Sequence, residues 1–212
     1  MKAPGILLAI AYFILPLATR MIRAAEPVAL ENGVLRLEIE RAPAPFIGRL
    51  VHQASGRVLV ASPVSKSLFS ITLAKPDGGV TAVDSATAGT SDVAAKKNGA
   101  TNEIAIKYGD FAVPGLSVEV AAFCDQQDPL TFWNIRVGHP AGWRVKAVRF
   151  PQLLAVPAIG ESDDDYLVLP ALPGTLIENP AKNWRDGFGV TLQYPGNLSA
   201  QFLAYQDRSA GL

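Results

Sequence analysis

Six carboxylates crowd one short stretch of the chain: Glu161, Asp163, Asp164, Asp165, Glu178 and Asp186. Two carboxyl groups held about 5–9 Å apart can cleave a glycosidic bond, and clustered oxygens suit a hard cation such as Ca2+. Asp163, Asp164 and Asp165 are therefore candidate calcium ligands. Consecutive aspartates also repel one another and are costly to bury, so Ser162–Asp165 reads most simply as a solvated loop. A second cluster is Asn183-Trp184-Arg185-Asp186-Gly187. An indole stacks on the C–H face of a sugar while amide, guanidinium and carboxylate groups bond its hydroxyls. Asn183, Trp184, Arg185 and Asp186 are thus the candidate carbohydrate-binding residues, against the plainer reading of a turn whose Trp folds back on its sheet. His52 and His139 are the only imidazoles. A pair of His with a carboxylate can move protons at a sugar ring. However, His139 precedes Pro140 in a turn and His52 follows Leu50-Val51, which suits ordinary boundary histidines. Asn197-Leu198-Ser199 has the pattern of a glycosylation acceptor, read here as coincidence. The sequence contains no Gly-rich phosphate loop, Ser nucleophile elbow or two-His helix motif.

These groups must be carried by strands. Leu35, Leu37 and Ile39 alternate with Arg36, Glu38 and Glu40. Phe69, Ile71 and Leu73 alternate with Ser70 and Thr72, and Ile104, Ile106 and Tyr108 with Glu103, Ala105 and Lys107. Trp133, Ile135 and Val137 alternate with Asn134 and Arg136, with Phe132 adding an aromatic ring to the second face. Phe188, Val190, Leu192 and Tyr194 repeat the pattern. A period of two with one apolar phase is a half-buried strand. Turn formers separate the runs: Ser55-Gly56, Pro76–Gly79, Asn98-Gly99, Gln126–Pro129, Pro140–Gly142 and Pro195-Gly196. Ser85–Lys97 is rich in Ala but broken by Thr, Gly and Ser, and reads as a loop with a strand edge. Between Phe150 and Pro180, five prolines punctuate short apolar runs such as Leu167–Leu169, which predicts edge or crossing segments. About a dozen strands without intervening helices indicate an antiparallel two-sheet β-sandwich, formed as one domain over residues 26–212.

The chain's 212 residues are 49% hydrophobic and 18% charged, enough apolar material for a sizeable core and too little charge for disorder. Residues 1–25 hold Lys2, Arg20 and Arg23 and no acid, leaving 16 basic and 19 acidic side chains in the remainder. With no basic tract, nucleic-acid binding is not expected. Lys2, the apolar run Ile6–Ala18 and the small Ala24-Ala25 pair read as a signal peptide over residues 1–25. That run has 13 residues, where a helix needs about 20 to cross a bilayer, so no stable membrane span is expected. An uncleaved anchor is the alternative. Either way the folded part lies outside the cytoplasm, secreted or periplasmic. The single Cys124 cannot form an internal disulfide, and alternation places it with Leu116, Val118, Val120 and Ala122 as a buried, inert thiol.

Three groups of residues carry a family likeness. They are Glu31–Leu37 with Ile47–Leu50 and Ser55–Leu59; Phe132–Val137 followed by Val145–Pro151; and Gln193–Gly196 with Ala200–Tyr205 and Gly211-Leu212. Together they resemble the N-terminal sandwich of secreted bacterial glycoside-hydrolase-like proteins, similar in fold to the galactose-mutarotase supersandwich. The likeness covers nearly all of residues 31–212 and rests on spacing and apolar pattern rather than on a catalytic motif. It implies a non-catalytic module that supports a following catalytic (β/α) barrel and contributes contacts to carbohydrate. It also implies that the chain stops where a further strand belongs, as a fragment would. The alternatives are a free-standing mutarotase or epimerase acting on an aldose, or a secreted structural or adhesion sandwich.

Overall fold

A computed structural model describes residues 26–61, 66–153, 159, 163–171, 174–183, 194 and 196–208. The proposed signal peptide (1–25), Glu161, Trp184, Arg185, Asp186 and the expected strand Phe188–Leu192 lie outside the described residues. Fourteen strands are described: β1 (Val28–Glu31), β2 (Leu35–Glu40), β3 (Phe46–His52), β4 (Arg57–Ala61), β5 (Ser70–Ala74), β6 (Val80–Asp84), β7 (Thr90–Asn98), β8 (Thr101–Gly109), β9 (Ser117–Asp125), β10 (Phe132–Gly138), β11 (Arg144–Arg149), β12 (Asp165–Leu169), β13 (Thr175–Glu178) and β14 (Ala204–Asp207). Helical structure among the described residues is confined to a 3-10 turn at Ser85–Thr87 and a single turn, α1 (Pro180–Asn183). None of these helices is long and apolar enough to cross a membrane.

Among the described residues every pairing is antiparallel, and four sheets result. Two are four-stranded meanders in the orders β1-β2-β3-β4 and β10-β9-β8-β7; two are three-stranded, β11-β5-β6 and β13-β12-β14. The meanders follow from the turn chemistry. Asn98 pairs with Thr101, leaving Gly99 and Ala100 as a two-residue loop. Only Gly99 of the two takes a positive φ (60°), the pattern of a type II′ hairpin turn that matches strand twist.

The predicted apolar phases meet in one core. Leu37 and Ile39 of the first sheet, Phe69, Ile71 and Leu73 in and beside β5, and Ile104, Ile106, Val118 and Val120 of the second meander belong to a single buried cluster. The ring of Phe69 meets that of Tyr108 edge-on with centroids 5.0 Å apart. The Tyr108 hydroxyl donates to the Pro45 carbonyl at 2.8 Å, tying the second meander to the segment entering β3. Burial pushes the Tyr108 phenol well above its ordinary value, because the phenolate would lose its water. Cys124 is buried with its predicted neighbours, and desolvation raises its thiol, with a hydrogen bond from Asn102 working the other way. The chain is thus an all-β antiparallel sandwich, as the alternation predicts.

Three elements differ from the sequence reading. Ser85–Lys97, expected as a loop with a strand edge, belongs from Thr90 onward to β7, which pairs with β8 at all nine positions. The ladder outweighs the weak preference of Ala and Lys. Leu167–Leu169, expected at an edge, lies in β12, the central strand of the fourth sheet. Pro170 stands just past its end and removes no ladder donor. Trp133, on the apolar phase of its strand and so expected to be sealed in the core, is half-buried, leaning on the cluster from β10 with its ring edge-on to Phe150 at 5.9 Å.

Candidate functional site

Sequence period two gives the β10-β9-β8-β7 sheet one face for the core and one turned outward. Because all three pairings are in register, its outward side chains fall into rows across the strands. One row is Ala94, Ala105, Ala121 and Asn134. The row on one side is Lys96, Glu103, Phe123 and Phe132, and the row on the other is Asp92, Lys107, Glu119 and Arg136. Three adjacent alanines leave a trough between taller neighbours. A depression of about 500 Å³ opens there, with Ala105 and Ala121 on its floor, Asn134 at its end, and Lys107, Glu119 and Arg136 along one side.

The two flanking rows differ in chemistry, and Phe123 and Phe132 stand beside the depression rather than in its lining. Phe123 and Phe132 lie nearly parallel, with centroids 5.3 Å apart and planes 17° off, and Phe132 keeps 43% of its surface exposed. They form an aromatic plate held by a cross-strand stack. The opposite wall alternates in charge. Arg136 Nη1 stands 3.9 Å from Glu119 Oε2, an exposed contact worth little in itself that leaves both groups available to bond a ligand. Asn134 adds an amide that both donates and accepts. The outward face thus sets an apolar plate, a floor without side-chain bulk and a row of polar groups side by side.

The sequence-predicted residues fare unevenly. Asn183 ends α1 and is exposed; its backbone N–H donates to the Asn179 carbonyl at 2.8 Å and its side-chain amide to the Glu178 carbonyl. It caps a turn, and its partners Trp184, Arg185 and Asp186 are outside the described residues. Of the aspartate run, Asp164 and Asp165 come together with Asp207 of β14, a residue the sequence reading did not single out: one carboxylate oxygen from each lies within 4.8 Å of the others. Asp163 is exposed and outside that trio, on the rim of a small adjacent cavity. Asp165 and Asp207 face each other in register across β12 and β14, and both are buried, contrary to the solvated loop expected for Ser162–Asp165. The reason is local: Asp165 opens β12, where the ladder sets it opposite Asp207, while Asp163 lies in the turn before the strand and stays outside.

The two imidazoles are held separately. His52 Nδ1 bonds the Ser55 hydroxyl at 2.8 Å in the β3–β4 turn, and His139 Nδ1 lies 3.1 Å from the Pro140 carbonyl. Neither has a carboxylate among its described partners.

The trough residues were missed because each is ordinary alone. The available signal was joint: Ala105 and Ala121 occupy the outward phase of adjacent strands, where longer polar residues are usual, and Phe123 and Phe132 share that phase. No known protein family matches the sequence, and comparison with curated proteins finds none similar to it.

Proposed function

We propose that the chain is an exported, non-catalytic β-sandwich module that binds carbohydrate in the trough across β8, β9 and β10. The observation that carries this reading is the row Ala105–Ala121–Asn134 between the Phe123/Phe132 plate and the Lys107–Glu119–Arg136 wall. A sugar ring lying over the alanines would stack a C–H face on Phe132 and turn its hydroxyls to Asn134, Glu119 and Arg136. Proton transfer at the ring, as in a mutarotase, draws no support from two histidines bonded within their own turns.

The resemblance to the sandwiches of glycoside-hydrolase-like proteins supplies the setting, a following (β/α) barrel as neighbour. What supports a neighbour is β11. All six of its residues are exposed although it pairs with β5, and Val145 and Val148 stand on its surface. An edge strand of this kind is ordinarily covered.

A glycan array probed with the chain and with Ala121→Trp tests the sugar reading. The indole fills the floor from the solvent side, so the variant should lose retention on every glycan the parent holds, with its circular dichroism unchanged. Equal retention by both proteins would remove the trough from consideration.

A further inference from the structure

Away from the trough, the fourth sheet carries charge where a sandwich ordinarily carries hydrocarbon. Asp165 and Asp207 are 1% and 2% exposed, and direct register brings them face to face. Two like charges buried opposite one another across a ladder repel, and each has lost its water. Asp164 brings a third carboxylate oxygen within 4.8 Å of theirs.

The second observation is the state of the Asp165 carboxylate. Its Oδ2 accepts from the Ile159 backbone N–H at 3.0 Å and from the Tyr205 hydroxyl at 2.6 Å. Its Oδ1, equally buried, has no hydrogen-bond partner among the described residues. A carboxylate held rigidly by two donors through one oxygen, with the other oxygen bare, is poised for a ligand that accepts lone pairs. Arg57 of β4 does not fill that role. Its Nη1 is 3.7 Å from Asp207 Oδ2, an ion pair too long for a hydrogen bond.

We propose that Asp164, Asp165 and Asp207 form a divalent cation site of calcium type, which fastens the β13-β12-β14 sheet to the sandwich through Arg57. All three ligands are hard oxygens, the set that selects Ca2+, Mg2+ or Mn2+ over softer metals. Oxygens that all lie within 4.8 Å of one another can share one ion of calcium type, whose ligands stand at about 2.3–2.6 Å. A cavity of about 120 Å³ bordered by Asp163, Asp164, Asp165, Glu178 and Arg208 offers an entry route and room for water to complete the shell.

Terbium luminescence tests this on the whole chain, because Tyr205 touches Asp165 and Tyr166 follows it, placing two sensitisers beside the ion. Tb3+ titration should give saturable sensitised emission at one ion per chain, displaced by Ca2+. Millimolar Ca2+ should raise the melting temperature above that in EDTA. Asp165→Asn and Asp207→Asn should abolish the emission, and Asp164→Asn should weaken Tb3+ binding at least tenfold. Asp163→Asn should bind as the parent does. Asp164 is only partly buried, so its variant keeps the test decisive if the other two fail to fold. Emission that does not saturate, or an Asp164→Asn titration that overlays the parent's, overturns the proposal.

Discussion

The three-sheet core and the β13-β12-β14 sheet are held by opposite means. In the core, Phe69, Ile71, Leu73, Ile104 and Ile106 are sealed from water, and the buried polar groups are neutral and hydrogen-bonded, as Ser85 is to the Leu68 N–H and Tyr108 to the Pro45 carbonyl. In the fourth sheet the buried side chains include Asp165 and Asp207, while Leu176 is exposed. Its side-chain ties are polar: Tyr205 to Asp165, Tyr166 to Gln206 at 2.7 Å, and Arg57 to Asp207. Apolar burial is non-directional and tolerant of conditions, whereas a charge-lined junction depends on what neutralises it. The first region should set global stability; the second should respond to ions and open on its own.

Substitutions separate the two regimes. Phe69→Ala removes a sealed ring that meets Tyr108 and Phe111, and should cost about 3–5 kcal/mol in chemical denaturation. Leu176→Ala in β13 should stay within about 0.5 kcal/mol. If both cost the same, the contrast between the regions is lost.

Arg57→Met leaves Asp207 without its cation from β4. Since Arg57 is about one-third exposed, the expected loss is roughly 1–2 kcal/mol, below that of a fully buried pair. Hydrogen exchange should show protection falling in β12 and β14 while β8 and β9 keep theirs. A uniform fall across all four strands would mean that the fourth sheet is no separate unit.

Tyr108→Phe addresses the core's polar bond. Losing the donation to Pro45 should cost about 1 kcal/mol at neutral pH. The alkaline limb should also change. The folded-state phenol of Tyr108 is held above its ordinary value, so the unfolded chain releases this proton first. The stability contributed is full below the unfolded value of about 10 and is lost as pH climbs past it. Tyr205, raised first by burial and then by its bond to Asp165, acts in the same direction. The variant should therefore lose stability less steeply above pH 10 than the parent, without becoming flat. An unchanged slope would assign the alkaline loss elsewhere.

How much of this was legible in the sequence follows from what each feature depends on. The core phases of β2, β5, β8 and β9 were readable because burial of one face imposes alternation locally. The strand at 90–98 was not, since its residues are weak strand formers and its nine pairings come from β8. The aspartate trio was half readable: Asp164 and Asp165 are neighbours in sequence, while Asp207 joins through the β12–β14 register, which no local pattern encodes. The trough has the same origin. Ala105, Ala121 and Asn134 align only once three strands are in register, and alanine by itself signals nothing.

Stability should change by no more than about 1 kcal/mol where function is most affected: the outward face of β9 and β10. Phe132→Ala and Asn134→Ala should fold as the parent does and bind sugar at least tenfold more weakly. The most direct test is a chemical-shift titration of the isotope-labelled chain with a glycan retained on the array. Shifts should concentrate at Ala105, Ala121, Phe132, Asn134 and Arg136, and should vanish in Ala121→Trp. Failure of the array to retain any glycan, or shifts gathered around Asn183 with the trough silent, would contradict carbohydrate binding at this face.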